Sequence, residues 1–324
     1  MKIWICAKIP NIQEIDIVGG RVGSYQEEFN PRANLDLVGN IYESDLILVP
    51  HDAKFFSKNV SYLRYLSQLA EEKPLLISNR GDFPKKINLK NAIILRVGIE
   101  PHEQVSNTIV LPYNIKPISN LSFRNYAEKP KVSFVGQVPK ISIGRTIKSI
   151  KKSPLHPIKT NAAFIRRLAL SKVKKSMLTH EIIIRDSYGG LERIVTNPQT
   201  KREEYIKSIL ESDLVLCPRG DSNGSLRFYE TLSAGRVPLI PKTQIILPTV
   251  KNFNLANYVI YFDSITGNLT EEVLNFWKEL DPLKYLELQR DLRMIFSQHL
   301  KFDIFLQNLL NFDLENFVKF KLIQ

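Results

Sequence analysis

Short apolar runs recur along this chain, separated by polar stretches. In the first half they are Lys2–Ala7, Asp45–Pro50, Pro74–Ser78, Ala92–Arg96 and Thr108–Pro112. In the second half they are Lys131–Gly136, Glu181–Arg185, Asp213–Pro218, Val237–Pro241 and Tyr258–Phe262. They are continuous rather than alternating, the pattern of strands covered on both faces. Between several of them apolar residues return at helical spacing: Leu63, Leu66, Leu69 and Ala70 within Asn59–Glu72, and Ile206, Ile209 and Leu210 within Lys201–Glu211. Strands alternating with helices predict parallel sheets joined by crossovers. Two such sets predict an α/β chain of two doubly wound domains. Ligands of open sheets bind outside the carboxyl ends of the strands, so the cleft between those ends is the expected site.

The polar stretch Lys116–Lys129 marks the boundary, giving an N-terminal Rossmann-like domain over 1–120 and a second over 121–275. The remainder, 276–324, is expected as helices that pack back across the domains. From Thr270 to Gln324 no strand-like run occurs, and the helical segments are EEVLNFWKEL, KYLELQRDLRMIFSQHL and FDIFLQNLLNF.

Composition narrows the class. With 44% hydrophobic and 24% charged residues, disordered and collagen-like chains are excluded. No apolar run reaches the roughly 18 residues of a membrane span. The start, MKIWICAKIP, reads as a first strand rather than a signal peptide, so a cytoplasmic protein is expected, with the inner face of the membrane as a peripheral contact. The two cysteines, Cys6 and Cys217, lie in apolar runs and read as buried, reduced thiols. No CxxC or HExxH pattern is present, and no metal site is expected.

Charge adds a direction. The net charge is +12, and thirteen basic residues fall between Lys129 and His180 with no acidic one among them. Such a block favours an anionic partner: nucleic acid, a phosphorylated small molecule, or an anionic membrane.

The chemistry concentrates in Asp213–Pro241, DLVLCPRGDSNGSLRFYETLSAGRVPLIP. It reads strand, polar glycine-containing loop, helix, turn, strand. Ser225 is placed to cap a helix beginning at Leu226, and Gly235 to end it. Such a helix points free N–H groups and its positive end into the cleft. Arg219 and Arg227 add paired donors suited to phosphate oxygens. Glu230, three residues after Arg227, either accepts hydrogen bonds from a ribose or pairs with Arg227 as an ordinary helix ion pair.

This segment resembles the exostosin family of glycosyltransferases, of GT47 type. The resemblance is carried by Cys217, Pro218, Arg219, Gly220, Ser225, Arg227, Phe228, Glu230, Leu232, Gly235, Val237 and Pro238, in that order. Weaker echoes are SDLILVP ending at Pro50, VLPYN at Val110–Asn114, and KVSFVG followed by Arg145. The resemblance implies a GT-B fold, two Rossmann-like domains facing across a cleft, with an acceptor-side first domain and a second domain that binds the nucleotide sugar. It implies metal-independent, inverting transfer from a UDP-sugar to a glycan or lipid-linked glycan, with no cofactor besides the donor. With no apolar run of membrane-spanning length and only two cysteines in this sequence, a bacterial role in surface polysaccharide synthesis is expected rather than that of the family's membrane-anchored members.

On that reading the donor-binding residues are Arg145, Arg185, Arg219, Gly220, Ser225, Leu226, Arg227 and Glu230. The base that takes the acceptor's proton is expected at a strand end of the first domain, one of His51, Asp52 and Asp82. The segment Val18–Ser24 lacks the third glycine of a dinucleotide fingerprint and reads as an acceptor-side loop. Three alternatives stand: a nucleic-acid-binding protein using the 129–180 block, an inactive nucleotide-sugar-binding subunit, and a retaining GT-B enzyme. No zinc pattern or basic–aromatic motif supports the first, and no specific nucleic acid is expected.

Overall fold

The computed structural model describes residues 2–11, 36–81, 85–100, 103, 107–119, 122–155, 157–185, 198–250 and 253–310. Within them are two wholly parallel sheets. The first has strands β1 (Lys2–Ile5), β2 (Asp36–Leu37), β3 (Leu46–Leu48), β4 (Leu75–Ser78), β5 (Ala92–Arg96) and β6 (Thr108–Val110), in the order β2-β1-β3-β4-β5-β6. The second has β7 (Lys131–Gln137), β8 (Thr179–Arg185), β9 (Leu214–Leu216), β10 (Val237–Pro241) and β11 (Ile260–Phe262), in the order β11-β10-β9-β7-β8. Every predicted apolar run coincides with or overlaps one of these strands, β7 and β8 running one and two residues beyond theirs. β3, β4, β5, β9 and β10 are buried along their whole length, which is why their sequences do not alternate. The additional strand, β2, has two exposed residues and leaves no apolar run to read.

Each sheet reverses direction once. The chain passes from β1 to β2 on one side and returns to β3 on the other; it passes from β7 to β8 and returns to β9. The β1/β3 and β7/β9 gaps are therefore the topological switch points, where the carboxyl ends of open sheets leave a crevice.

Helices fill the connections. After β3 come α1 (Ala53–Phe56) and α2 (Val60–Glu72), the latter capped by Asn59, whose side chain accepts the Tyr62 N–H. After β7 come α3 (Ile143–Lys152), α4 (Pro157–Thr160) and α5 (Ala162–Lys175), then α6 (Pro198–Leu210) before β9 and α7 (Leu226–Ser233) before β10. The tail forms α8 (Leu269–Trp277), α9 (Pro282–Ile295), a π-helical turn at Phe296–Leu300 and α10 (Phe302–Asn308). Among the described residues no helix is long and apolar enough to cross a membrane.

The tail helices hold the boundary segment against the second sheet. Asp213, at the foot of β9, is buried and accepts from Arg124 Nε (2.7 Å), the Lys131 N–H (2.8 Å) and the Tyr285 hydroxyl of α9 (2.9 Å). Trp277 of α8 donates to the Ala127 carbonyl and stacks on Tyr126. Gln289 of α9 bonds to both the N–H and the carbonyl of Arg124. Buried Arg236 donates to Ser122, Leu210 and Gln289, and burial pulls it down to about 10. One contiguous apolar core runs from Ile3, Leu46 and Leu95 of the first sheet through Leu111 and Ile118 to Val132 and Leu216 of the second. Cys6 and Cys217 are buried free thiols, and burial pushes them up to about 11 and about 12.

Gly235 closes α7 at φ +66, where an L side chain is strained, and a Cβ there would lie 2.7 Å from the Gln289 carbonyl oxygen. Gly235→Ala is expected to cost at least about 2 kcal/mol, read as a lowered midpoint in urea denaturation with unchanged slope.

Candidate functional site

The central feature lies at the β7/β9 switch point. Residue 225 takes extended backbone angles as N-cap of α7, and the helix opens at Leu226 just beyond the loop that follows β9. One residue further on, Arg227 reaches across the crevice. Its Nη2 donates to the Val135 carbonyl of β7 (2.7 Å) and its Nη1 to the Leu216 carbonyl of β9 (3.4 Å). The guanidinium lies over the Phe134 ring, 4.4 Å from its centroid. A Cβ on Gly136 would fall 2.7 Å from Arg227 Nη2, so any larger residue there would push the guanidinium aside. Arg227 Nε is buried and has no acceptor among the described residues. Arg166 of α5 adds a second guanidinium at the same strand ends, donating to the Gln137 (2.9 Å) and Arg219 (3.3 Å) carbonyls. The carboxyl ends of β7 and β9 thus carry two guanidiniums and the positive end of α7. The Ser225 side chain makes no capping bond of its own to that end.

Arg219 is placed differently from the sequence expectation. Its guanidinium is buried rather than turned to the crevice, and both terminal nitrogens bond the Glu100 carboxylate, at 2.9 and 2.5 Å. Remaining donors reach the Lys159, Gly220 and Asp221 carbonyls. A buried guanidinium needs a carboxylate, and Glu100 follows β5 of the other sheet. The rest of the loop follows it across. The Asn223 side chain donates to the Ile99 carbonyl, Ser222 and Tyr113 hydroxyls meet at 2.7 Å, and a Cβ on Gly224 would strike the Val97 carbonyl at 2.8 Å. The loop is closed on itself by the Gly220 N–H bond to the Gly224 carbonyl. The carboxyl ends of β5 and β9 therefore meet through this loop.

Glu230 pairs neither with Arg227 nor with an open cleft. It is buried, accepting from Arg202 Nη1 (2.6 Å) and the Tyr205 hydroxyl (2.5 Å), both on α6. Burial, reinforced by the Glu230 charge, holds the Tyr205 phenol far above its usual range, so it stays a donor. Arg185, at the end of β8, donates to the Lys201 carbonyl and to Glu204. Arg145, in the first turn of α3, pairs with exposed Asp221 at 3.1 Å.

In the first sheet, His51 and Asp52 lie beyond β3 beside the β1/β3 switch point. His51 is fully buried, and its Nε2 accepts the Ile9 N–H (2.8 Å) beyond β1. Asp52 caps α1 through the Lys54 N–H and also accepts from Ser78 Oγ (3.0 Å) and the Arg80 N–H (3.1 Å) at the end of β4. Asp82 and the Val18–Ser24 segment lie outside the described residues. Sequence reading did not assign Glu100, Arg166, Arg202 or Tyr205. Arg202 and Tyr205 carry a legible signal, a three-residue spacing on the helix preceding β9. Glu100 carries none.

Residues 165–251, from α5 to the loop after β10, match a family described as the RXYLT1 C-terminal domain. No curated protein matches the chain. Among solved structures the chain is similar to a glycosyltransferase from Rickettsia africae ESF-5 (TM-score 0.37, 12% identity, covering 86% of this chain and 77% of that one). It is similar also to WaaG, a glycosyltransferase involved in lipopolysaccharide biosynthesis (TM-score 0.33, 12% identity, 83% and 75%). A third is Anabaena Alr3699/HepE in complex with UDP and glucose (TM-score 0.30, 13% identity, 85% and 78%). The architecture itself, two parallel-sheet α/β domains followed by helices, is the one the sequence predicts.

Removing Glu100 alone strands a buried charge, so Glu100→Ala is expected to cost about 3–5 kcal/mol. The pair Glu100→Leu with Arg219→Met is expected to cost clearly less than the sum of its single changes, measured as a double-mutant cycle by urea denaturation.

Proposed function

We propose that the chain is an inverting glycosyltransferase of exostosin type, moving a sugar from a UDP-sugar to a glycan or lipid-linked glycan acceptor in the synthesis of a bacterial surface polysaccharide in the cytoplasm. One observation carries this reading: the Ser225-Leu226-Arg227 opening of α7 falls at the β7/β9 switch point, with the Arg227 guanidinium spanning both strand ends and one donor unmatched. A diphosphate is the ligand that such donors suit. The match of residues 165–251 to the RXYLT1 C-terminal domain covers the same segment.

In this reading the donor diphosphate lies over the crevice, against Arg227 and the first N–H groups of α7, with Arg145 at the rim. As the bond from the anomeric carbon to the diphosphate breaks, negative charge grows on the leaving oxygens. Fixed donors there stabilise it without reorganising, so the leaving group needs no metal ion. Arg219 acts indirectly, holding the loop in place through Glu100. Glu230 fixes α6 against α7 through Arg202 and Tyr205.

The acceptor hydroxyl attacks from the first-sheet side and loses its proton to a base there. Geometry favours Asp52 over His51. The lone pair of His51 Nε2 is already used by the Ile9 N–H. The Asp52 carboxylate, with about four acceptor sites, receives three donors. Asp82 remains a candidate by sequence.

Thermal-shift titration with a panel of nucleotides and nucleotide sugars tests the donor site. Saturable stabilisation by UDP or one UDP-sugar is expected, near 2.7 kcal/mol at about a hundredfold excess over Kd, and lost in Arg227→Ala. Turnover in Arg227→Ala is expected to fall about 10²–10³-fold, and turnover of the unmodified protein to persist in EDTA. No stabilisation by any nucleotide would sink the reading. Asp52→Asn is expected to lower turnover about 10²–10⁴-fold while leaving donor stabilisation intact. Donor binding with no turnover on any acceptor would instead mark a non-catalytic subunit.

A further inference from the structure

Helix α3 is amphipathic in the reverse sense. Residues 143, 147 and 150 share one face by helical spacing. A surface helix ordinarily turns such a stripe to the core. Here Ile143 is 81% exposed, Ile147 47% and Ile150 48%. The opposite face carries Ser149, which is buried and whose carbonyl accepts from Thr160 Oγ1 of α4. Ile141 before the helix and Leu155 after it are also exposed. Lys151 borders the isoleucine stripe and is exposed, and Lys140 is exposed just before the helix. No acidic residue occurs between Lys129 and His180. Among the described residues, Asp221 pairs with Arg145 of α3.

We propose that α3 is a docking helix for an anionic bilayer surface, lying in the headgroup layer with its isoleucines in the acyl boundary and its lysines on lipid phosphates. Charge complementarity selects this occupant: exposed isoleucines with Lys140 and Lys151 beside them, in a stretch of sequence that carries no carboxylate of its own, suit a surface that is apolar below and anionic above. A helix of ten residues, about 15 Å long, matches a peripheral contact rather than a span. The Arg145–Asp221 pair ties this helix to the loop after β9, so docking would set the crevice close to the lipid surface. The inference stands apart from the sugar-transfer reading, since it needs no donor or acceptor.

The test is sedimentation of the full chain with phosphatidylcholine vesicles, with and without phosphatidylserine, at physiological salt. Binding only to the phosphatidylserine vesicles is expected. Ile143→Ser/Ile147→Ser/Ile150→Ser is expected to weaken it at least about a hundredfold, because each loses a buried apolar side chain. Lys140→Gln and Lys151→Gln are each expected to weaken it about fivefold. All are surface changes, so an unchanged melting profile accompanies the expected result. Failure of the unmodified chain to sediment would overturn the proposal. So would a triple variant that binds as well as the unmodified chain, which would reduce the effect to lysine charge. Lipid-free self-association that the triple variant abolishes would also overturn it, by showing that a second copy covers the face.

Discussion

A guanidinium taken out of water must find acceptors, and Arg219 finds its carboxylate on the other sheet. That requirement organises the middle of the molecule. The Arg219–Glu100 pair draws the loop after β9 onto the end of β5, and Asn223, Ser222 and Gly224 complete the junction. Beyond the loop so held, α7 opens at Leu226 and Arg227 reaches across the β7/β9 gap. The pair contributes geometry more than net stability, since the desolvation of two charges offsets much of their attraction.

The two sheets solve the same problem in related ways. Where the strand order reverses, carboxyl ends splay and leave backbone groups near a crevice. In the second sheet Arg227 bridges Val135 and Leu216. In the first, His51 bridges from beyond β3 to Ile9 beyond β1, and Asp52 ties the ends of β3 and β4 together. The residues proposed for donor binding and for proton transfer thus sit at the two switch points. Each is held by contacts that fix its position before any ligand arrives, and such preorganisation is what lowers a barrier.

Much of the fold was legible because burial on both faces writes itself into sequence as unbroken apolar runs. The start and stop of α7 were legible for local reasons, an N-cap position at Ser225 and a positive-φ glycine at 235. Strand β2 was not, having two exposed residues and no apolar run. The fates of Arg219 and Glu230 were not legible either, because their partners are remote. Glu100 lies 119 residues from Arg219, and Arg202 lies 28 residues from Glu230. A motif gives the residue type at a position; only the packed chain decides whether a charge faces the ligand or a neighbour. The same holds for α3, whose isoleucine spacing is visible in sequence while its outward direction is not.

The most direct measurement is a structure of the chain with UDP bound. The account predicts the diphosphate across the β7/β9 crevice, its oxygens within hydrogen-bonding distance of the Arg227 guanidinium and of the N–H groups that open α7. UDP bound elsewhere on the chain, with Arg227 still directed only at Val135 and Leu216, would contradict it.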